Sequence, residues 1–272
     1  MRKLGIVLLT PLAFALPSVA FAWGDSCQVK GPRQATVDAA GATSVRVEAK
    51  AGSLKIMGEE GLTEVQAQGT ACAKNEKALE KVQLRAERSG SQVRVVVDIP
   101  SGWGQGGALD LEVRVPVGLA VEVDDGSGEI QIDAVASLEL KDGSGEIGVT
   151  GVKGDVSVDD GSGEIALVDV GGDVRVEDGS GGIEIQGAKG SVFVEDGSGE
   201  IEIVDVTGDV TIENDGSGGI VVRGAGRDVR VGRDGSGSIR VQDVGGDFTV
   251  EKDGSGGIDH SGVQGEVNIP KK

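Results

Sequence analysis

Eight aspartates head eight copies of Asp-Gly-Ser-Gly, at Asp125, Asp142, Asp160, Asp178, Asp196, Asp215, Asp234 and Asp253, spaced 17 to 19 residues apart. A carboxylate repeated at this spacing offers two kinds of chemistry. If successive copies stack at the roughly 4.8 Å spacing of hydrogen-bonded strands, the carboxylates form a ladder on which a hard cation such as Ca2+ can sit between rungs. All eight residues would then be metal ligands. Alternatively, each Asp accepts local backbone amides as an Asx-type turn, with its remaining oxygen in water. The flanking positions are too variable for a uniform array: Glu129, Glu146, Glu164 and Glu200 give way to Gly182, Gly219, Ser238 and Gly257. The repeat is also rich in Gly and Asp, as Ca2+-binding β-roll nonapeptides are. Its Asp precedes the glycines, however, where the β-roll places it after them. Apart from this Ca2+ option, no cofactor is expected.

Little else is equipped for catalysis. His260 is the only histidine and falls at a position that is apolar in the other repeats, so histidine-based triads and histidine metal clusters are not available. Paired carboxylates leave glycoside cleavage formally open, but Tyr is absent. The aromatics beyond residue 22 are Trp23, Trp103, Phe193 and Phe248, a poor platform for stacking sugars. The expectation is a protein that is not an enzyme. Five arginines, Arg223, Arg227, Arg230, Arg233 and Arg240, gather in two late repeats of an otherwise acidic chain. They either neutralise neighbouring carboxylates or form a patch that docks an acidic envelope protein or polymer.

The elements carrying these residues are legible from the repeat itself. Counting each repeat from its Asp, position 6 is always Ile, from Ile130 to Ile258, and position 8 is Ile, Val or Leu until His260. Apolar, exposed, apolar is strand alternation in β-branched residues. A second such pair follows in every repeat, from Leu138/Leu140 to Val267/Ile269, with one small apolar residue between the pairs, such as Val135 or Ala188, to fill a corner. Each repeat therefore supplies five inward side chains, two short strands and two turns. Glycine at positions 2 and 4 gives the first turn access to positive φ, and the second turn often reads Gly-Asp, as at Gly154-Asp155. The predicted fold is all-β: a flattened parallel β-solenoid with two short strands per coil of about eighteen residues. Repeats from Asp196 onward carry one extra residue, which a surface turn is expected to absorb as a bulge.

Upstream, the pattern is β-rich but less regular. Strands are expected at Ser44–Ala49, Ser53–Met57, Thr63–Thr70, Val82–Arg88 and Gln92–Pro100, with a hairpin turn at Ser89-Gly90-Ser91 and a helical turn capped by Asn75. Leu109–Val115 and Leu119–Val123 feed the repeats. Arg2 and Lys3 followed by the apolar run Leu4–Phe21 and Ala20-Phe21-Ala22 read as a secretory signal peptide. The chain thus divides into a signal peptide at 1–22, an irregular β region at 23–123, and a regular solenoid of eight repeats with a terminal cap at 124–272. Gly24-Asp25-Ser26 before Cys27 is not a lipoprotein signal, and no membrane span is expected once the leader is removed. Export places Cys27 and Cys72, the two cysteines, where a structural disulfide is the default. The net charge of −19 excludes nucleic acid and anionic membrane surfaces as favoured partners.

A leader, an irregular β-rich first part, the segment Val113–Gly118, and D-G-S-G-x-I-x-I and G-D-V-x-V units together resemble the bacterial "putative adhesin" β-strand-repeat family of unknown function, also called toastrack. The likeness covers nearly all of the chain after the leader. It implies a β-solenoid in the cell envelope and carries no catalytic motif. The reading is a non-enzymatic exported protein, periplasmic or at the cell surface, serving as a rigid repeat scaffold or adhesin-like interaction surface. The alternative is a calcium-binding solenoid whose Asp-Gly-Ser-Gly turns are ordered by Ca2+. Oligomeric state and handedness do not follow from the residues.

Overall fold

A computed structural model describes residues 27–99 and 107–270. The expected signal peptide, Trp23 and the loop around Trp103 lie outside the described residues. Among the described residues, alternating β-branched residues build strands nearly everywhere, and one short helix interrupts them. The strands before the repeats are β1 (Val29–Asp38), β2 (Ser44–Glu48), β3 (Leu54–Glu59), β4 (Glu64–Ala73), β5 (Gln83–Ser89), β6 (Gln92–Asp98), β7 (Gly107–Pro116) and β8 (Ala120–Asp124). Helix α1 (Glu76–Leu79) joins β4 to β5 and is capped as expected: the Asn75 carboxamide oxygen accepts the Ala78 amide at 2.9 Å.

The repeats then alternate between two sheets. One sheet takes β9 (Ile130–Asp133), β11 (Ile147–Thr150), β13 (Ile165–Val170), β15 (Ile183–Ala188), β17 (Ile201–Val206), β19 (Ile220–Ala225), β21 (Ile239–Val244) and β23 (Ile258–Val263). The other takes β10 (Ser137–Asp142), β12 (Val156–Asp160), β14 (Val174–Asp178), β16 (Val192–Asp196), β18 (Val210–Asp215), β20 (Val229–Asp234), β22 (Phe248–Asp253) and β24 (Val267–Asn268). Each sheet has twelve strands, and every repeat strand pairs in parallel with its counterpart one coil away, Ile on Ile and Val on Val. The result is the flattened parallel β-solenoid read from the period. Its two inner faces enclose one apolar core running from Ala39 to Val250.

Stacking order departs from chain order at the N-terminal end. β2 and β3 form a coil that pairs directly with the first repeat through β8 and β9, while β6 and β7, later in sequence, stack on its outer side. Antiparallel strands close this end: β4 on β7, β1 on β4 and β5 on β6. β1 was not foreseen. It alternates weakly and contains Pro32, which an edge strand tolerates because one side of its backbone has no partner to donate to. The Cys27–Cys72 disulfide, with Cα atoms 5.4 Å apart, staples its start to β4.

Three local readings are corrected. The extra residue of the longer repeats lies inside a strand rather than in a turn: β18 has six residues against five in β16, and the register shifts after Val194. Positive φ occurs at position 4 of the turn, such as Gly145 at 146°, but not at position 2. Glycine is needed at position 2 for close stacking instead, because a Cβ on Gly161 would stand 2.5 Å from the Gly143 carbonyl oxygen one coil back. His260 keeps the register of the core column opposite Val241, yet it is exposed, because among the described residues no coil packs on the outer side of this one.

Candidate functional site

Strand alternation places the eight aspartates. In β10 the inward residues are Leu138, Leu140 and then Asp142; in β12 they are Val156, Val158 and Asp160. Asp is therefore a sixth inward residue of each coil, not a solvated turn residue. Where a repeat lengthens, the bulge in β18 restores the aspartate to its column, Asp215 facing Asp196 and Asp234 facing Asp215. Asp125, Asp142, Asp160, Asp178, Asp196, Asp215 and Asp234 are all buried, from 8% exposure at Asp142 to 0% at Asp215, while Asp253 at the last full rung is half-buried.

Burial has not been matched by partners. Asp142 Oδ1 accepts the Gly143 amide at 2.7 Å, Asp178 Oδ1 the Ser180 amide at 3.2 Å, and Asp196 Oδ1 the Ser198 amide at 3.0 Å. No donor reaches either carboxylate oxygen of Asp125, Asp160, Asp215 or Asp234, nor the second oxygen of Asp142, Asp178 and Asp196. The expectation of local hydrogen bonding thus holds for one oxygen in three rungs, and the expectation of solvation for none of the seven.

The electrostatic consequence follows from desolvation, which disfavours the charged form of an acid. Burial raises every one of the seven above the ordinary carboxylate value. Asp125 and Asp160 reach about 6 and Asp215 about 7, burial being the main cause and the charges of neighbouring column aspartates adding to it. Nearby turn amides pull the other way, as Gly161 and Ser162 do at Asp160, without reaching hydrogen-bond geometry at its oxygens. Asp234 is raised chiefly by burial and further by the charge of Asp253 on the next rung.

Outside the column, Asp159, Glu177 and Glu195 stand over Asp160, Asp178 and Asp196 and line a shallow acidic groove with them. Farther along, Arg233 and Lys252 join Glu213 and Glu251 in a groove of mixed charge. Ca2+ takes six to eight oxygens, whereas the column offers one carboxylate per rung. Among the described residues no three His, Cys, Asp or Glu side chains gather into a group that could hold a metal.

The five arginines are not brought to one face. Arg223 and Arg240 lie on β19 and β21 of one sheet, Arg230 and Arg233 on β20 of the other, and Arg227 in the turn between. Arg230 pairs with Glu213 at 2.7 Å and Glu251 at 2.8 Å, and Arg223 pairs with Glu202. Both cysteines are in the disulfide, and His260 lies on the terminal coil with its ring centroid 6.0 Å from that of Phe248.

No family model and no curated protein matches the chain. Among solved structures, it is similar to a "putative cell adhesion protein" from Clostridium sporogenes, at 14% identity and a TM-score of 0.37, over 89% of this chain and 100% of that one. A "putative adhesin" from Bacteroides fragilis matches at 14% identity and 0.37, over 89% of this chain and 98% of that one. One from Parabacteroides distasonis matches at 12% identity and 0.27, over 88% and 97%. The stacked parallel coils themselves fit the β-strand-repeat resemblance read from the sequence.

Proposed function

We propose that this chain is a non-enzymatic, exported structural protein of the bacterial cell envelope, adhesin-like in use, acting as a rigid repeat scaffold or interaction surface. The observation that carries the reading is the continuous core: two twelve-stranded sheets, hydrogen-bonded coil to coil, enclose one apolar cluster that runs from Ala39 to Val250. Such a body is stiff because each coil is held by ladders to both neighbours, and its length is set by the number of coils. Among the described residues its surface offers shallow charged grooves.

Fractionation of the producing cell tests export. The expected outcome is a chain lacking residues 1–22, found in the periplasm or outside, with Cys27 and Cys72 resistant to alkylation. A full-length reduced protein in the cytoplasm would end the reading. Deleting residues 161–196, two whole coils, tests the scaffold: the rod should stay folded and shorten by about 10 Å in solution scattering. A hydrolytic activity abolished by acidic substitutions would replace the scaffold with an enzyme.

The competing reading is the calcium-ordered solenoid. Donorless buried oxygens in the Asp column favour it, and the one-per-rung supply of carboxylates weighs against it. Melting in EDTA against a Ca2+ titration separates the two: a saturable, Ca2+-specific rise supports metal, and no shift supports the scaffold.

A further inference from the structure

Seven inward carboxylates, one coil apart, with most of their oxygens lacking a donor, are costly to ionise together in a buried column, because like charges at this spacing repel strongly where the dielectric is low. Nor does a cation neutralise them: among the described residues none of the ion pairs involves a column aspartate. One arrangement satisfies the oxygens from within. A neutral carboxyl has an O–H to donate, and the carboxylate on the next rung accepts it, so one shared proton both removes a charge and supplies a hydrogen bond. We infer that the buried aspartates form a proton-sharing ladder along the solenoid, so that folding takes up protons and the rod loosens as the solution turns from mildly acidic to alkaline.

Two independent features of the fold point the same way. The bulge before Asp215 exists where the repeat gains a residue, and it returns the carboxyl to the column rather than letting it swing outward to water. At the column's C-terminal end the register sets Asp234 directly opposite Asp253, so the ladder runs unbroken to its last rung. The column also has a defined start, since the register places apolar Ala49 and Val97 beneath Asp125 in the two preceding coils.

The surroundings do not supply an alternative neutraliser. On the strand side the charged residues next to the column are Asp124, Asp159, Glu177 and Glu195, with Lys141, Arg233 and Lys252 pointing outward and exposed. Lys141 is engaged with Asp159 at 3.7 Å. Across the turn stand Glu129, Glu146, Glu164 and Glu200, more negative charge still.

The direction of the pH effect follows from linkage. Unfolded aspartates titrate near 3.9, whereas Asp125 and Asp160 hold protons to about 6 and Asp215 to about 7. Between about pH 4 and pH 7 the folded state therefore binds more protons than the unfolded one, and stability falls as pH rises through that window. Glu48, held below its ordinary value chiefly by its hydrogen bond to Arg94, acts oppositely and loses its contribution in acid. The maximum should thus lie on the mildly acidic side.

The test is thermal melting of the exported chain in EDTA from pH 4.5 to 8.5, alongside 13C NMR titration of its carboxyl carbons. Melting temperature should fall by about 5 °C or more between pH 5 and pH 8, with several aspartate carbons titrating above pH 5. Asp215→Asn should flatten the fall, and Glu184→Gln, an exposed charge removal on the same rod, should not. A flat or rising profile, equal flattening by Glu184→Gln, or column carbons fully ionised at pH 5 would overturn the ladder. So would full ionisation accompanied by a Ca2+-specific rise in melting temperature, which would assign the column to metal. If Asp215→Asn fails to fold, the carboxyl titration of the unsubstituted chain decides.

Discussion

Both turns of the repeat carry an aspartate, and the two columns live in opposite worlds. In the Gly-Asp turn the side chain faces out, and its Oδ1 accepts the amide of the next coil: Asp155 from Asp173 at 2.9 Å, Asp173 from Ser191 at 2.8 Å, Asp209 from Asp228 at 3.1 Å, Asp228 from Asp247 at 2.8 Å, and Asp247 from Glu266 at 2.7 Å. In the Asp-Gly-Ser-Gly turn the same residue type faces in, buried and largely without donors. The first column is a set of exposed staples between coils, each carboxyl accepting a backbone amide of the next coil. The second is held inward by strand alternation and bears a desolvation cost that the N-terminal coils avoid with Ala49 and Val97. What a carboxylate does here is decided by which face of the pleat it occupies.

The comparison can be broken most violently by adding an inward charge where no turn amide is near. Ile183→Asp places a carboxyl at a fully packed position of β15 and should cost about 4 kcal/mol or more. Hydrogen exchange should show protection lost across the middle coils, and a wild-type melt would refute the stacked-core account. Next in size is the geometry that lets the Asp turns stack. Gly163→Ala forces a side chain onto a residue at φ 149° whose Cβ would stand 1.6 Å from the Gly145 carbonyl oxygen, and should cost about 3 kcal/mol, read from denaturant midpoints.

Asp215→Val sharpens the contrast by giving the buried column the apolar filling that its N-terminal continuation has. At pH 8 the variant should be more stable by about 1–4 kcal/mol, and the gain should shrink toward pH 4, where the native carboxyl is neutral. A loss of stability at pH 8 would mean that the column needs its charge. The smallest effect belongs to the outer column. Asp228→Ala removes the acceptor for the Asp247 amide, which water can replace, so melting should drop by about 2 °C in a thermal scan.

Much of this molecule is written in local pattern. The invariant Ile column from Ile130 to Ile258 and its paired valines announce two strands per coil, Asn75 announces the helix cap, and Gly90 the hairpin. The inward aspartate was legible too, since Asp142 continues the alternation of Leu138 and Leu140. A polar residue beside Gly-Ser-Gly reads first as a turn former, and that signal masked the other. β1 was hidden because an edge strand buries only one weak row of side chains, so its apolar period is faint.

Period and alternation by themselves therefore determined the solenoid, its two sheets, its stacking of Ile on Ile and the composition of its core, because each coil repeats the same local instructions and contacts mainly its neighbours. Tertiary structure alone decided the rest. That β6 and β7 stack outside β2 and β3 depends on which non-adjacent strands pair, a choice no local period encodes. That a bulge carries Asp215 back into line, and that the column is buried, depends on how closely consecutive coils stack, since desolvation is a property of the packed neighbours and not of the residue.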